Sequence, residues 1–306
     1  MRRAVFLVLC LAVLAGCGQG GAAPVPTAAL NPSSAQEPVA TPSPEPQSDN
    51  PYEGSAREES SFYYHIFEAF RGADIRKLSE ERGFTYLDYT MKVEAADAEL
   101  RWWYSNSLHL PQCPGKDDFA VHFSRYFREV YQKLLAEERA YLDAQNLDRE
   151  HLERGLSMRD EFFWNGYYQV VLTEMWITTR SFAEPVVVVF EAETGEKVEL
   201  ASLFQGDTES WLPTLGQRLR EKGMIPSAGA EESQALLQDA TFFDIDFAVD
   251  QGVDGFRDFM LTPNGLGFAF RTGLVSSMAQ GPVVVVVPYE YISDLLTPEF
   301  RAVLCP

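Results

Sequence analysis

His109, Cys113 and His122 lie close together in the chain, and imidazole and thiolate are side chains that hold zinc. Their spacing fits no tetrahedral zinc template, and a further ligand would have to come from elsewhere. His122 also falls in a helix-patterned stretch, where a partly buried, hydrogen-bonded histidine is the ordinary outcome. No metal and no cofactor are expected. Asp244 and Asp246 are a second candidate, since paired carboxylates can act as acid and nucleophile in glycoside cleavage. They alternate with apolar neighbours in Phe242–Phe247, which predicts a strand with both carboxylates on its solvated face. Trp102, Trp103 and Tyr104 have faces that stack on sugar rings, and equally suit a core-facing and edge-facing aromatic cluster. Metalloprotease, nucleophile-elbow, P-loop and Cys-x-x-Cys motifs do not occur. No catalytic residue is assigned, and the chain is not expected to be an enzyme.

One cysteine has a clearer chemistry. Arg2 and Arg3 precede an apolar run, Ala4 to Leu14, that is too short to span a bilayer as a helix. Leu14-Ala15-Gly16-Cys17 follows and resembles the lipobox of bacterial lipoproteins. That resemblance implies acylation of the Cys17 thiol and cleavage just before it. Several acyl chains would hold the protein on the outer face of the cytoplasmic membrane, which one chain does not do stably. Cys10 leaves with the signal, so Cys113 and Cys305 remain in a compartment that permits disulfides. A Cys113–Cys305 bond is expected, and two free thiols are the alternative.

Gly18 to Ser55 holds eight prolines among Ala, Ser, Thr and Gln, a composition that cannot offset the entropy of folding. It reads as a tether reaching roughly 35 to 120 Å. The 306 residues carry 25 Lys+Arg against 45 Asp+Glu, and without Arg2 and Arg3 the balance is 23 against 45, or −22. Such a chain lacks the basic patch that nucleic acid requires. It would steer a basic partner toward itself.

The remaining residues alternate between helical and extended patterns. Glu58 to Arg71 predicts an amphipathic helix, and Tyr86–Val93 and Leu100–Leu108 predict strands. Phe119, Phe123, Phe127, Val130, Leu134 and Tyr141 make one apolar stripe, predicting a core-packing helix over 117–144. Strands are expected over 167–173, 174–180, 186–190, 197–200, 259–261, 266–270 and 283–287, with helices over 209–222, 231–239 and 288–296. Val186–Phe190 reads as a strand buried on both faces. Helices gather in blocks instead of alternating with strands, so the fold class is α+β with a mostly antiparallel sheet. The division is 1–16 signal peptide, 17–57 lipidated cysteine and tether, 58–155 N-terminal α+β part and 156–306 C-terminal α+β domain.

The C-terminal part resembles a known extracellular module, the family called domain of unknown function 3298. The likeness lies in Phe190–Leu200 with its Thr194-Gly195 turn, Ser202-Leu203-Phe204, the hairpin Phe259–Phe270, and Gly281–Val287 followed by Pro288-Tyr289. It covers Glu161 to Leu304. Residues Tyr86 to Leu142 are loosely similar to the domain that usually precedes this module. The family occurs in a lysozyme-sensing anti-sigma factor and in a non-catalytic region of peptidoglycan deacetylases. The resemblance therefore implies a binding or sensing module. Two stretches depart from the family pattern. Arg180–Glu184 stands where relatives carry a Gly-Gly-Ala-His-Gly turn, and Thr272–Ser276 where they carry a Pro-Tyr-Glu run. No ligand contact is carried over from those loops. The expected partner is a cationic, wall-associated, lysozyme-like protein; the alternative is a hydrolase or binding protein directed at cell-wall glycan.

Overall fold

The computed structural model divides the chain into two units, residues 1–49 and 50–306. Within the second, the structure describes residues 62–73, 77–94, 103–143, 152–177, 181–277 and 281–305. Cys17, Trp102 and His151 lie outside the described residues, as do the side chains of Trp103 and Tyr104.

Among the described residues this unit holds two sheets and seven α-helices. After α1 (Phe62–Ala69) and the single turn α2 (Leu78–Glu81) come β1 (Thr85–Glu94), β2 (Trp103–Gln112), α3 (Asp118–Asp143), β3 (Leu152–Trp164), β4 (Tyr167–Ile177) and β5 (Ser181–Glu191). The five strands form one sheet in chain order. All its neighbours are antiparallel except β2 and β3, which α3 joins as a crossover between parallel strands. Next come α4 (Thr208–Lys222), α5 (Ala230–Gln238) and α6 (Ile245–Asp250). The antiparallel sheet of β6 (Phe259–Thr262), β7 (Gly265–Phe270) and β8 (Val283–Val287) follows, and α7 (Pro298–Leu304) closes the chain. The fold is α+β with mostly antiparallel sheets, as the sequence indicates.

The layers follow from where apolar side chains fall. Phe119, Phe123 and Phe127 of α3 are fully buried against Leu108, Leu110, Tyr168, Val170, Val188 and Phe190 on one sheet face. Each such ring contributes about 1.5–3 kcal/mol of burial. Asp117 caps α3 by accepting from the Ala120 N–H at 2.8 Å. The opposite face presents Phe162, Val171 and Val187 to Met260, Ala269, Val284 and Val286 of the second sheet, with α1 wedged alongside through Ile66 and Phe70. The far face of the second sheet is covered by Trp211, Leu215 and Leu219 of α4 and Leu237 of α5. Every residue of β6, β7 and β8 is therefore buried.

Several expectations are corrected. The boundary at residue 155 falls inside β3, and β2 pairs with β3, so the two α+β parts share one sheet. Residues 167–177 are one strand, and Lys197–Leu200 reduces to a single bridge between Phe190 and Lys197. The segment after Pro288 is only a 3-10 turn, Tyr289–Tyr291, and the helix comes later, capped by Thr297. Cys113 and Cys305 are both free, so the expected bond is not made. Cys113 is buried in the core under α3, where its N–H donates to Ser124 Oγ at 2.9 Å, whereas Cys305 packs on the core beyond the second sheet.

Candidate functional site

Asp244 and Asp246 lie at the start of a helix, not on a strand. Asp244 precedes α6 and Asp246 stands in its first turn. Ile245 and Ala248 turn inward to the core, which α6 reaches because Gly216 of α4 has no side chain to obstruct it. A Cβ at Gly216 would lie 2.6 Å from Val249 Cγ2. With those residues inside, helical geometry points Asp246, Phe247 and Asp250 outward. Phe247 is 48% exposed, the most exposed large apolar side chain among the described residues. Asp254, in the following 3-10 turn Gly252–Phe256, is exposed beside it.

Phe247 forms one wall of an open pocket of about 340 Å³. Gln251, Asp254, Arg257, Asp258 and Arg271 supply the polar lining, and Thr272-Gly273-Leu274 the rim. That volume is in the range of sites that take a small molecule or one long side chain. The pocket floor is an ion-pair network. Arg271 donates from Nε to Asp258 at 3.1 Å and from Nη1 to Glu174 at 2.7 Å. Asp258 also accepts from the Val187 N–H at 3.1 Å and faces Arg257 Nε at 3.5 Å. Burial pushes the Asp258 carboxyl above the usual aspartate range, and Arg271 and Arg257 pull it only part of the way back. Its oxygens are thus occupied by donors of the protein, which suits a structural anchor better than a general acid or base. Glu184 of β5 accepts from the Thr272 N–H at 3.1 Å, which ties β5 to this rim.

The other residues singled out by type are dispersed. His109 Nδ1 contacts Asp88 Oδ1 at 2.6 Å and its ring stacks on Tyr86, on an exposed part of the first sheet. His122 Nδ1 meets the Thr194 carbonyl at 2.9 Å, tying α3 to the Thr194-Gly195 turn. His65 is hydrogen-bonded to Ser227 Oγ. Among the described residues no three His, Cys, Asp or Glu side chains gather as a metal site would require. Sequence reasoning did not anticipate Phe247, Arg257 or Arg271. The signal for Phe247 is its position between Asp246 and Asp250, which means exposure only once the segment is known to be helical.

No family model matches the chain, and no curated protein matches it. Among solved structures it is similar to a member of the DUF3298 family from Bacteroides fragilis, at 15% identity and a TM-score of 0.44 over 72% of this chain and 96% of that one. It is also similar to a DUF3298 family protein from Pseudomonas aeruginosa, at 12% identity and a TM-score of 0.43 over 71% and 95%. The likeness is distant and concerns the fold.

Proposed function

We propose that this protein is a lipid-anchored, extracytoplasmic binding module, non-catalytic, whose partner is a cationic wall-associated protein. The observation that carries the reading is Phe247, half-exposed on the pocket wall with Asp254, on a chain segment that also exposes Asp244, Asp246 and Asp250. An exposed aromatic beside a pocket is the usual form of an interface anchor. The surrounding carboxylates select a basic partner and hasten its encounter. From Asp207 to Asp254 the chain carries ten Asp and Glu against three Lys and Arg. Arg220 pairs with Asp246 at 2.8 Å, while Asp244, Asp250 and Asp254 have no ion pair among the described residues. The anchor is assigned to Cys17 by its lipobox; among the described residues no helix is long and apolar enough to cross a membrane.

The test is surface-binding kinetics of the detergent-solubilised full chain against lysozyme, other cationic wall hydrolases and purified peptidoglycan. Association with a cationic protein should slow as salt rises, because such steering is screened over about 10 Å at 0.1 M. Phe247→Ala should weaken binding about 30-fold, the ~2 kcal/mol of an aromatic anchor. Salt-insensitive binding to peptidoglycan alone, or its turnover, would replace this reading with the glycan-directed one. Cys17→Ala should release the protein from membranes or leave it unprocessed, and a mature, membrane-bound mutant would refute the anchor.

A further inference from the structure

A sheet edge carries unpaired backbone groups, and among the described residues three of the four edges find partners beyond their own sheet. The outer edge of β5 gives the Val187 N–H to Asp258 and the Val189 carbonyl to the Val198 N–H at 2.9 Å. The outer edge of β6 is occupied by the Gln169 side chain, which bonds both the N–H and the carbonyl of Leu261. The outer edge of β8 pairs with Met224 in both directions, at 2.8 and 2.9 Å. The fourth edge, β1, is different. Over Thr85–Met91 the described residues supply no backbone partner except β2. This strand of ten residues contains neither proline nor glycine.

We propose that β1 pairs antiparallel with β1 of a second copy, joining two five-stranded sheets into one across a two-fold axis at Thr90. The sequence Thr-Tyr-Leu-Asp-Tyr-Thr-Met-Lys-Val-Glu is self-complementary in that register alone among its neighbours. Centring on Thr90 sets Asp88 opposite Lys92 twice, once on each side of the axis, and opposite charges across a strand pair attract. Centring on Met91 sets Asp88 opposite Glu94, a like-charge pair, and centring on Tyr89 leaves both charges without a charged counterpart. Centring between residues places the polar face of one strand against the α3 face of the other. In the Thr90 register the α3 faces coincide, and Tyr89, which packs on the α3 core, meets Met91. Asp88 keeps His109 on its own sheet and gains the second copy's Lys92 on the other side. A segment of the same chain lying on this edge, or a strand from another protein, would be a different arrangement and is distinguished below.

Cross-linking reads the register directly. Directly opposed residues have Cα atoms about 4.5–5.5 Å apart, inside the span a disulfide bridges. Thr90→Cys in the full chain, oxidised in its own membranes, should give a disulfide dimer. Asp88→Cys alone should not, because its two copies would lie roughly 14 Å apart along the strands. The unsubstituted chain, which keeps Cys113 and Cys305, supplies the background. In detergent, sedimentation should show a dimer for the unsubstituted chain and a monomer for Thr90→Lys, which opposes two ammonium groups on the axis while leaving the far-ultraviolet spectrum unchanged. Equal cross-linking of Thr90→Cys and Asp88→Cys, or a chain monomeric at all concentrations, would overturn the proposal. In the monomer the β1 amides that point toward β2 are protected in any case; strong hydrogen-exchange protection of the alternate β1 amides, those that point away from β2, would overturn it in favour of a segment of the same chain. Cross-linking of Thr90→Cys to another protein would overturn it in favour of a foreign strand.

Discussion

Gln169 clasps Leu261 as a neighbouring strand would. Its side-chain amide donates from Nε2 to the Leu261 carbonyl at 2.6 Å, and its Oε1 accepts from the Leu261 N–H at 2.8 Å. Both residues are wholly buried. Gln169 belongs to β4 of the first sheet and Leu261 to β6 of the second, so one side chain closes an edge and fixes the two sheets together. Buried backbone groups need such partners, because an unpaired one loses its water and gains nothing.

Gln169→Leu keeps the volume and removes both bonds, leaving one donor and one acceptor of Leu261 orphaned. Each orphan costs about 1–3 kcal/mol. The variant should therefore lose about 2–6 kcal/mol in urea unfolding, with an unchanged dependence on denaturant. A loss below 1 kcal/mol would mean that the sheets shift and find other partners.

The clasp joins residues 92 positions apart and has no signature in the chain. What was legible is what local pattern controls. The α3 stripe of Phe119, Phe123 and Phe127 and the valine run of β8 both lie where periodicity and apolar runs place them. The strand β3 is not legible in the sequence because Arg159, Asp160 and Glu161 interrupt its alternation and a bulge lies between Met158 and Asp160. The α6 segment reads as a strand in the sequence because Phe242–Phe247 alternates with period two, whereas in the structure it is helical and packs on Gly216. That difference also decides the candidate site, since a strand would have turned Phe247 toward the core face and both carboxylates away from it.

The free thiols can be counted. The protein unfolded without reductant should take up alkylating reagent at both Cys113 and Cys305. In the folded protein both should react slowly, because burial pushes both thiols above the usual cysteine range and only the thiolate attacks. Cys305 is the more exposed and should label first. Mass spectrometry after timed alkylation reads both steps. A Cys113–Cys305 disulfide peptide from the unreduced protein would contradict the free state.

Arg271 gives a prediction with a pH sign. It is held between Asp258 and Glu174, and Asp258 is 95% buried by its 5% exposure. Removing one partner of a buried ion pair typically costs about 3–5 kcal/mol, since the other charge is left uncompensated. Arg271→Met removes the cation that draws the Asp258 carboxyl down, so the folded-state value, already raised by burial, rises further. A carboxyl raised in the folded state contributes stability that is fully present below its unfolded value of 3.8 and is lost as pH rises through the folded value. The deficit of Arg271→Met relative to the unsubstituted protein should therefore be small near pH 3.5 and largest at neutral pH. Urea unfolding of both proteins across that range measures it. A deficit that does not change with pH would show that Arg271 holds the pocket floor by packing, and that its charge on Asp258 is immaterial to stability.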